Sequence, residues 1–351
     1  MLLAPTGKAA KRMTEASGYK ASTIHRFNIA IKQSGEKPEK KLIIIDETSM
    51  IGTKLASVLL SNVKNCNIIF VGDIDQLASI EPGCFMKDII SCGQVMVSYL
   101  TKGFRNGGSI ARNADLINKG KHMKEFIFDA DTKFIEKYGD DVTNAAVDFY
   151  ENALNRFKPS EIGILTPLRS RGSGSVDSIN NLIRTKINPI TEKNIENKAG
   201  FLINDRVMNT KNNYDKEIIN EYFKPEKGVF NGDTGTIIDI DYDDGEIEIL
   251  FDDGRRGYFR YDEMSAFVLA YATTIHKSQG SEYKCVLVIV SSQSAFFLKR
   301  NLVYTGFTRA KQQLTILGDE KAIAIAARNI DDSVRNSHLK YRIISMIKKK
   351  K

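Results

Sequence analysis

The sequence predicts an α/β protein built on parallel sheets, with a small antiparallel β-module set into its second half. Three observations carry this. Short apolar runs recur between helix-length segments: LIIID (42–46), IIFVGD (68–73), IGILTP (162–167), CVLVIV (285–290) and LTILGD (314–319). Runs that are apolar throughout, instead of alternating, mark parallel strands covered on both faces. Several end in a carboxylate or a turn residue, which places polar groups at the strand C-termini, the edge where open parallel sheets bind ligands. Residues 201–263 depart from this pattern. They alternate apolar and polar and turn at Asp244–Gly245 and Asp253–Gly254, the strongest short-range hairpin signal.

Each part of the chain then has a place. At 351 residues there is room for two domains, taking about 150 residues for each. An apolar content of 42% supports an ordinary buried core. The net charge of +8 favours an anionic partner such as nucleic acid. Cys66, Cys84, Cys92 and Cys285 show no C-x-x-C spacing and stand near no paired histidines, which argues against zinc and a disulfide framework and for reduced thiols in a cytoplasmic protein. No apolar run is long enough for a membrane span, and the first residues lack a signal-peptide layout. SGEKPEKK (34–41) reads as an exposed hairpin or loop, 121–145 offers no clear punctuation, and the closing lysines 348–351 read as a solvated tail.

The opening MLLAPTGKAAKRM contains a Thr-Gly-Lys that resembles the end of a phosphate loop. A phosphate loop requires G-x-x-x-x-G-K-[ST]. Counting back from Gly7, Leu2 stands where the first glycine belongs, and Ala9 stands where the hydroxyl belongs. The other Gly-Lys pair, Gly120–Lys121, leads into His122. The usual cradle for nucleotide phosphates is therefore not within this sequence.

Other segments do carry nucleotide chemistry. KLIIIDETSM (41–50) is an apolar strand that delivers Asp46 and Glu47 at its end, the layout in which one acid holds Mg²⁺ and the other polarises a water. The plainer alternative is a strand-to-helix turn with Ser49 as its cap. NIIFVGDIDQL (67–77) places Gln76 just beyond a second strand, where an amide can bond both a γ-phosphate and an attacking water. Arg309 in YTGFTRAK and Arg105 in LTKGFRNGG are candidates to stabilise transferring phosphoryl charge, against the ordinary reading of surface arginines. YATTIHKSQGSEY (271–283) gathers Thr274, His276, Ser278, Gln279, Gly280 and Glu282, short donors suited to phosphate oxygens. A Ser/His/Asp hydrolase finds no G-x-S-x-G support.

In this order, LAPTGKAAKRM, STIHRF, LIIIDETSM, VGDIDQLASIEPG, FRN, ILTPLRS, TIHKSQGSE and YTGFTRAK resemble the RecD-like DNA helicases of superfamily 1, the branch that usually moves 5′ to 3′. The resemblance implies two RecA-like, P-loop NTPase-type domains. The first takes residues 1–100, with a short strand-separating hairpin at 27–41; the second takes 101–200 with 264–351, interrupted by an SH3-like β-barrel insertion at 201–263. It implies that Pro5, Thr6, Lys8, Thr23 and His25 line a single-stranded DNA track, with Thr274, His276 and Ser278 gripping from the second domain. Asp46 would hold Mg²⁺ through water, Glu47 activate water, Gln76 sense the γ-phosphate of ATP, and Arg105 and Arg309 stabilise charge, while Gly280 and Glu282 face the nucleotide. DNA duplex junctions become expected partners.

The resemblance also marks a departure. Family members carry a GTGKT-type loop ahead of the segment with which this sequence opens, so a preceding segment or a partner subunit is expected to supply it. Without that loop, the first domain is incomplete and ATP turnover is expected to be negligible. Two alternatives stand beside this reading: a non-catalytic DNA-binding or assembly module, and the helicase portion of a conjugative relaxase or multi-subunit exonuclease.

Overall fold

The computed structural model describes residues 1–100, 108–330, 335 and 337–348. Contacts divide the chain into two units, Met1–Phe104 with Asp331–Lys351, and Arg105–Ile330.

Unit 1 begins with β1 (Leu2–Ala4), α1 (Gly7–Ser17), β2 (Ala21–Thr23), α2 (Ile24–Ser34), β3 (Leu42–Ile45), α3 (Thr53–Ser61), β4 (Asn67–Phe70) and α4 (Phe85–Ser91). Its strands form a parallel sheet in the order β2-β1-β3-β4. Leu3, Ile24, Phe27, Ile43, Ile45, Leu55, Leu59 and Phe85 make its core. Strands β1 and β2 are short because each gives way almost at once to a capped helix. The Ala9 N–H donates to Thr6 Oγ1 at 3.2 Å and the Arg26 N–H to Thr23 Oγ1 at 3.2 Å, so each threonine satisfies a first-turn amide.

The hairpin expected at 27–41 is not formed. Ile24, Phe27 and Ile31 recur on one helical face against the core, which sustains α2 as far as Gly35, whose φ of 72° ends it. Residues 35–41 then run as a loop with one isolated bridge, Glu39 to Lys64. Among the described residues, β4 pairs only with β3, and Ile69 and Val71 at this edge are 48% and 40% exposed. Val95, Met96, Val97, Tyr99 and Leu100 follow as an exposed apolar stretch without regular structure.

Unit 2 runs α5 (Ser109–Asn118), β5 (Thr132–Glu136), α6 (Asp141–Leu154), β6 (Ile162–Thr166) and α7 (Val176–Ile187). The antiparallel module follows: β7 (Arg206–Asn209), β8 (Asn213–Ile219), β9 (Pro225–Val229), β10 (Thr234–Asp241), β11 (Glu246–Phe251), β12 (Arg256–Arg260) and β13 (Phe267–Leu269). The chain then returns through β14 (Ala272–Thr274), β15 (Tyr283–Val290), α8 (Arg300–Phe307), β16 (Ala310–Gly318) and α9 (Glu320–Arg328). Five strands form a parallel sheet ordered β14-β6-β15-β16-β5. Val286 to Val290 are all buried at its centre, as an unbroken apolar run requires. The unpunctuated stretch 121–145 holds β5, an edge strand beside β16, and the start of α6.

The module's sheet is ordered β13-β7-β10-β11-β12-β8-β9 around its own core of Val207, Ile237, Ile247, Ile249, Phe251 and Phe259. Both Asp-Gly pairs turn as read, with Gly245 at φ 68° and Gly254 at φ 82°, conformations that a Cβ disfavours. The buried Arg206 is held by both carboxylate oxygens of Asp252 at 2.6 and 2.8 Å. First and last strands, β7 and β13, are neighbours, and the Ala270 N–H donates to the Arg206 carbonyl at 2.8 Å.

A last helix, α10 (Leu339–Lys348), belongs to unit 1. The expected second domain, extending to 351, thus loses its final stretch to the first. Leu339 packs on the unit 1 core, and the Ser337 hydroxyl donates to the Asp88 carboxylate on α4.

Candidate nucleotide and nucleic-acid sites

The C-terminal edge of the unit 1 sheet carries two groups of the sequence-selected residues, side by side. Over β1 and β2, Ala4 and Thr23 are in register, so the starts of α1 and α2 lie next to one another. Pro5, Thr6 and Lys8 stand at the first start, Thr23 and His25 at the second. Neither helix has an acidic residue in its first turn, so no carboxylate there offsets the partial positive charge of either N-terminus. His25 and Arg26 are exposed, and Lys8 is half-buried.

Over β3 and β4 lie the acids and the glutamine. Asp46 leaves β3 with its N–H donating to the Leu3 carbonyl at 3.0 Å, and its Oδ1 accepts from the Glu47 N–H at 2.8 Å. Glu47 adopts a left-handed conformation, φ 51° and ψ 40°, uncommon for a residue with a side chain and a frequent sign of a functional turn. The turn is locked from beneath: Thr48 is fully buried, its N–H donating to the Val71 carbonyl at 2.9 Å and its hydroxyl to that of Ile45 at 3.1 Å. A Cβ on Gly72 would stand 3.0 Å from the Thr48 nitrogen and 3.1 Å from that of Ser49, so glycine permits the two strand ends to approach. Gln76 donates from Nε2 to Asp73 Oδ2 at 3.3 Å. Among the described residues its buried Oε1 has no hydrogen-bond partner, nor have Ser49 Oγ and Thr53 Oγ1.

In unit 2 the segment after β14 is a compact turn. Thr274 Oγ1 accepts from the Lys277 N–H at 3.3 Å, and His276 and Lys277 are exposed. Ser278, expected to grip DNA, is fully buried and its hydroxyl donates to the Ile275 carbonyl at 2.8 Å; as placed it braces the turn. Partial burial and the nearby Arg169 guanidinium lower the pKa of Lys277. Two cations thus lie near each other where the motif ILTPLRS meets the turn. Arg169 was not among the residues selected from the sequence; an arginine so close after a strand end was the available signal.

Gly280 continues the turn at φ 74°, and here the structure joins distant motifs. Arg309, 3% exposed, donates from Nη1 to the Ser281 carbonyl at 3.1 Å and from Nε to that of Thr305 at 3.2 Å. The Glu282 carboxylate pairs with Lys311 at 2.8 Å. Gly280, Glu282 and Arg309 are therefore one neighbourhood. Arg105 lies outside the described residues.

Among the described residues no three His, Cys, Asp or Glu side chains cluster to hold a metal. No helix there is long and apolar enough to cross a membrane.

Comparison with known proteins agrees with this layout. Residues 1–140 match the AAA domain family, 179–251 the SH3 domain of ATP-dependent RecD-like DNA helicases, and 269–317 the UvrD-like helicase C-terminal domain. The ATP-dependent RecD2 DNA helicase of Deinococcus radiodurans is 29% identical over 97% of this chain and 46% of its own length. The RecBCD enzyme subunit RecD of Mycolicibacterium smegmatis is 27% identical over 97% of this chain and 65% of its own. The chain thus spans between about half and two-thirds of these relatives. In fold, it resembles a Pif1 helicase solved at forked double-stranded DNA, with TM-score 0.51 and 16% identity over 99% of this chain and 86% of that one. Motifs, parallel sheets and antiparallel module together make the chain similar to the RecD-like DNA helicases.

Proposed function

We propose that this chain forms most of an ATP-driven motor that moves along single-stranded DNA, 5′ to 3′, and acts at duplex junctions. One observation carries the reading: a single sheet edge in the order β2-β1-β3-β4 sets two acid-free helix starts beside the Asp46, Glu47 and Gln76 turns. A strand held by its phosphates and a nucleotide held by its terminal phosphate would then share one rigid support. Pro5, Thr6, Lys8, Thr23 and His25 bind the DNA backbone, joined by Thr274 and His276 and, through the turn it braces, by Ser278. Grip on phosphates needs no base sequence and weakens steeply with salt.

Asp46 suits Mg²⁺, which keeps several waters and takes one or two carboxylates together with substrate phosphates. Bound there, the ion would neutralise phosphate charge. Glu47 orients water, Gln76 reads the terminal phosphate with its unpaired oxygen, and Arg105 and Arg309 balance charge beside Gly280 and Glu282.

The residues do not fit the rest of ATP, because the sequence holds no glycine-lysine phosphate loop. We propose that a strand, turn and helix outside these 351 residues supply it, from a preceding segment or a partner subunit. Among the described residues β4 pairs only with β3, and Ile69, Val71 and the stretch 95–100 leave exposed apolar surface, which supports this, since contiguous apolar surface of this kind marks a place where another segment packs. The test is ATP turnover with and without single-stranded DNA, for the chain alone and for a version extended through the upstream coding sequence. Negligible turnover alone and DNA-stimulated turnover when extended are expected; vigorous turnover by the chain alone overturns the missing-loop account. A non-catalytic DNA-binding module is the rival, and the presence of Asp46, Glu47, Gln76 and Arg309 together speaks against it.

A further inference from the structure

The loop that follows Gln76 is closed by a residue from the far end of the chain. Nη1 of Arg335 donates to the carbonyl oxygens of Ser79 at 2.5 Å, Glu81 at 2.8 Å and Gly83 at 3.0 Å. One guanidinium nitrogen carries two hydrogens, so at least one of them is shared between carbonyls. These carbonyls belong to alternate residues and converge on one point. The carbonyl between the last two, that of Pro82, instead accepts from the Thr53 N–H at 3.1 Å.

That opposite side is crowded. A Cβ on Gly83, at φ +99°, would come within 1.9 Å of Thr53 Oγ1, and one on Gly52 within 2.6 Å of Glu81 Cβ. The loop is thus pressed against the start of α3, which closely follows the Asp46–Glu47 turn. Leu77 and Ser79 are buried, so the chain between Gln76 and its anchors is short. Removing the guanidinium would leave three carbonyls to find new donors. Ser337 and Leu339 attach the same segment to α4 and the core independently.

We infer that Arg335 is a positioning residue for the Gln76 loop: by gathering the carbonyls of Ser79, Glu81 and Gly83, the C-terminal segment sets the geometry of a nucleotide-sensing site to which it adds no reacting group. The consequence for sensing rests on the function proposed above, whereas the clamp itself does not.

Hydrogen exchange followed by mass spectrometry on the whole chain tests it. In Arg335→Ala, amides of 76–84 and of Thr53 exchange about tenfold faster, while β3 and the body of α3 stay as in the wild type. Arg335→Lys recovers part of the protection, because an ammonium also offers several donors. Ser337→Ala leaves 76–84 unchanged. Unaltered exchange in Arg335→Ala, an equal rise across β3 and α3, or the same loss in Ser337→Ala overturns the inference. Failure of the wild-type chain to bind a single-stranded oligonucleotide would instead strike the motor reading and leave the clamp standing.

Discussion

The guanidinium of Arg309 lies against the backbone of Ser281, donating to its carbonyl at 3.1 Å. It is therefore held beside Gly280 and Glu282 before any ligand arrives. In a chain extended to carry a phosphate loop, Arg309→Ala should lower DNA-stimulated ATP turnover by roughly a thousandfold and leave single-strand affinity nearly intact. Arg309→Lys, which keeps the charge and loses the fork, should fall almost as far. Equal losses of DNA binding and turnover would remove Arg309 from the phosphoryl site.

Lys8, at the start of α1, should show itself through salt. On single strands each phosphate neutralised contributes a slope of about 0.7 in log affinity against log salt. Lys8→Ala should reduce the slope by about that amount, and equally for oligonucleotides of different sequence. Fluorescence anisotropy across a salt series measures this, and an unchanged slope would take Lys8 off the track.

Gly72 permits the ends of β3 and β4 to meet. Gly72→Ala should cost roughly 1–3 kcal/mol by overpacking, since the atoms it would strike include the backbone nitrogens of Thr48 and Ser49. Denaturant titration gives the number, and a neutral effect would mean that this turn is softer than its hydrogen bonds indicate.

Cys285 begins the buried centre of β15, and burial pushes its thiol up to about 11. The folded chain therefore holds this proton more tightly than the unfolded chain, whose thiol titrates near 9.0. The stability this gives is fully present below that value and is lost as pH rises from there through the folded pKa. At neutral pH, alkylation of Cys285 should track global unfolding, whereas Cys66 and Cys84, only half-buried, should react in the native state. Fast native labelling of Cys285 would contradict its burial.

Much of this was readable because an unbroken apolar run is a plain signal, one that burial on both faces imposes on β6 and β15. Strands β3, β4, β6, β15 and β16 stand where the apolar runs predicted, and the Asp-Gly pairs turned as expected. Strands β1, β2 and β14 have three residues each, too few for any pattern; they exist because neighbours of high propensity pair with them. The hairpin at 27–41 failed because helical spacing of Ile24, Phe27 and Ile31 outweighed a charged loop. Sequence pointed to candidate motifs but not to which atoms are engaged: Ser278 donates to Ile275, and Arg335 reaches across 252 positions to Gly83, a separation no local pattern carries.

The antiparallel module enters through β7 and leaves through β13, and these strands lie side by side. Its ends are therefore joined before it reaches the parent sheet, as the two arms of a handle meet at one mounting. Such a part can be lengthened, exchanged or remodelled at its outer strands β8 and β9 while the strand that follows, β14, keeps its pairing with β6. The fold thus separates the parallel sheet from what can be customised, and variation among relatives should accumulate in the handle.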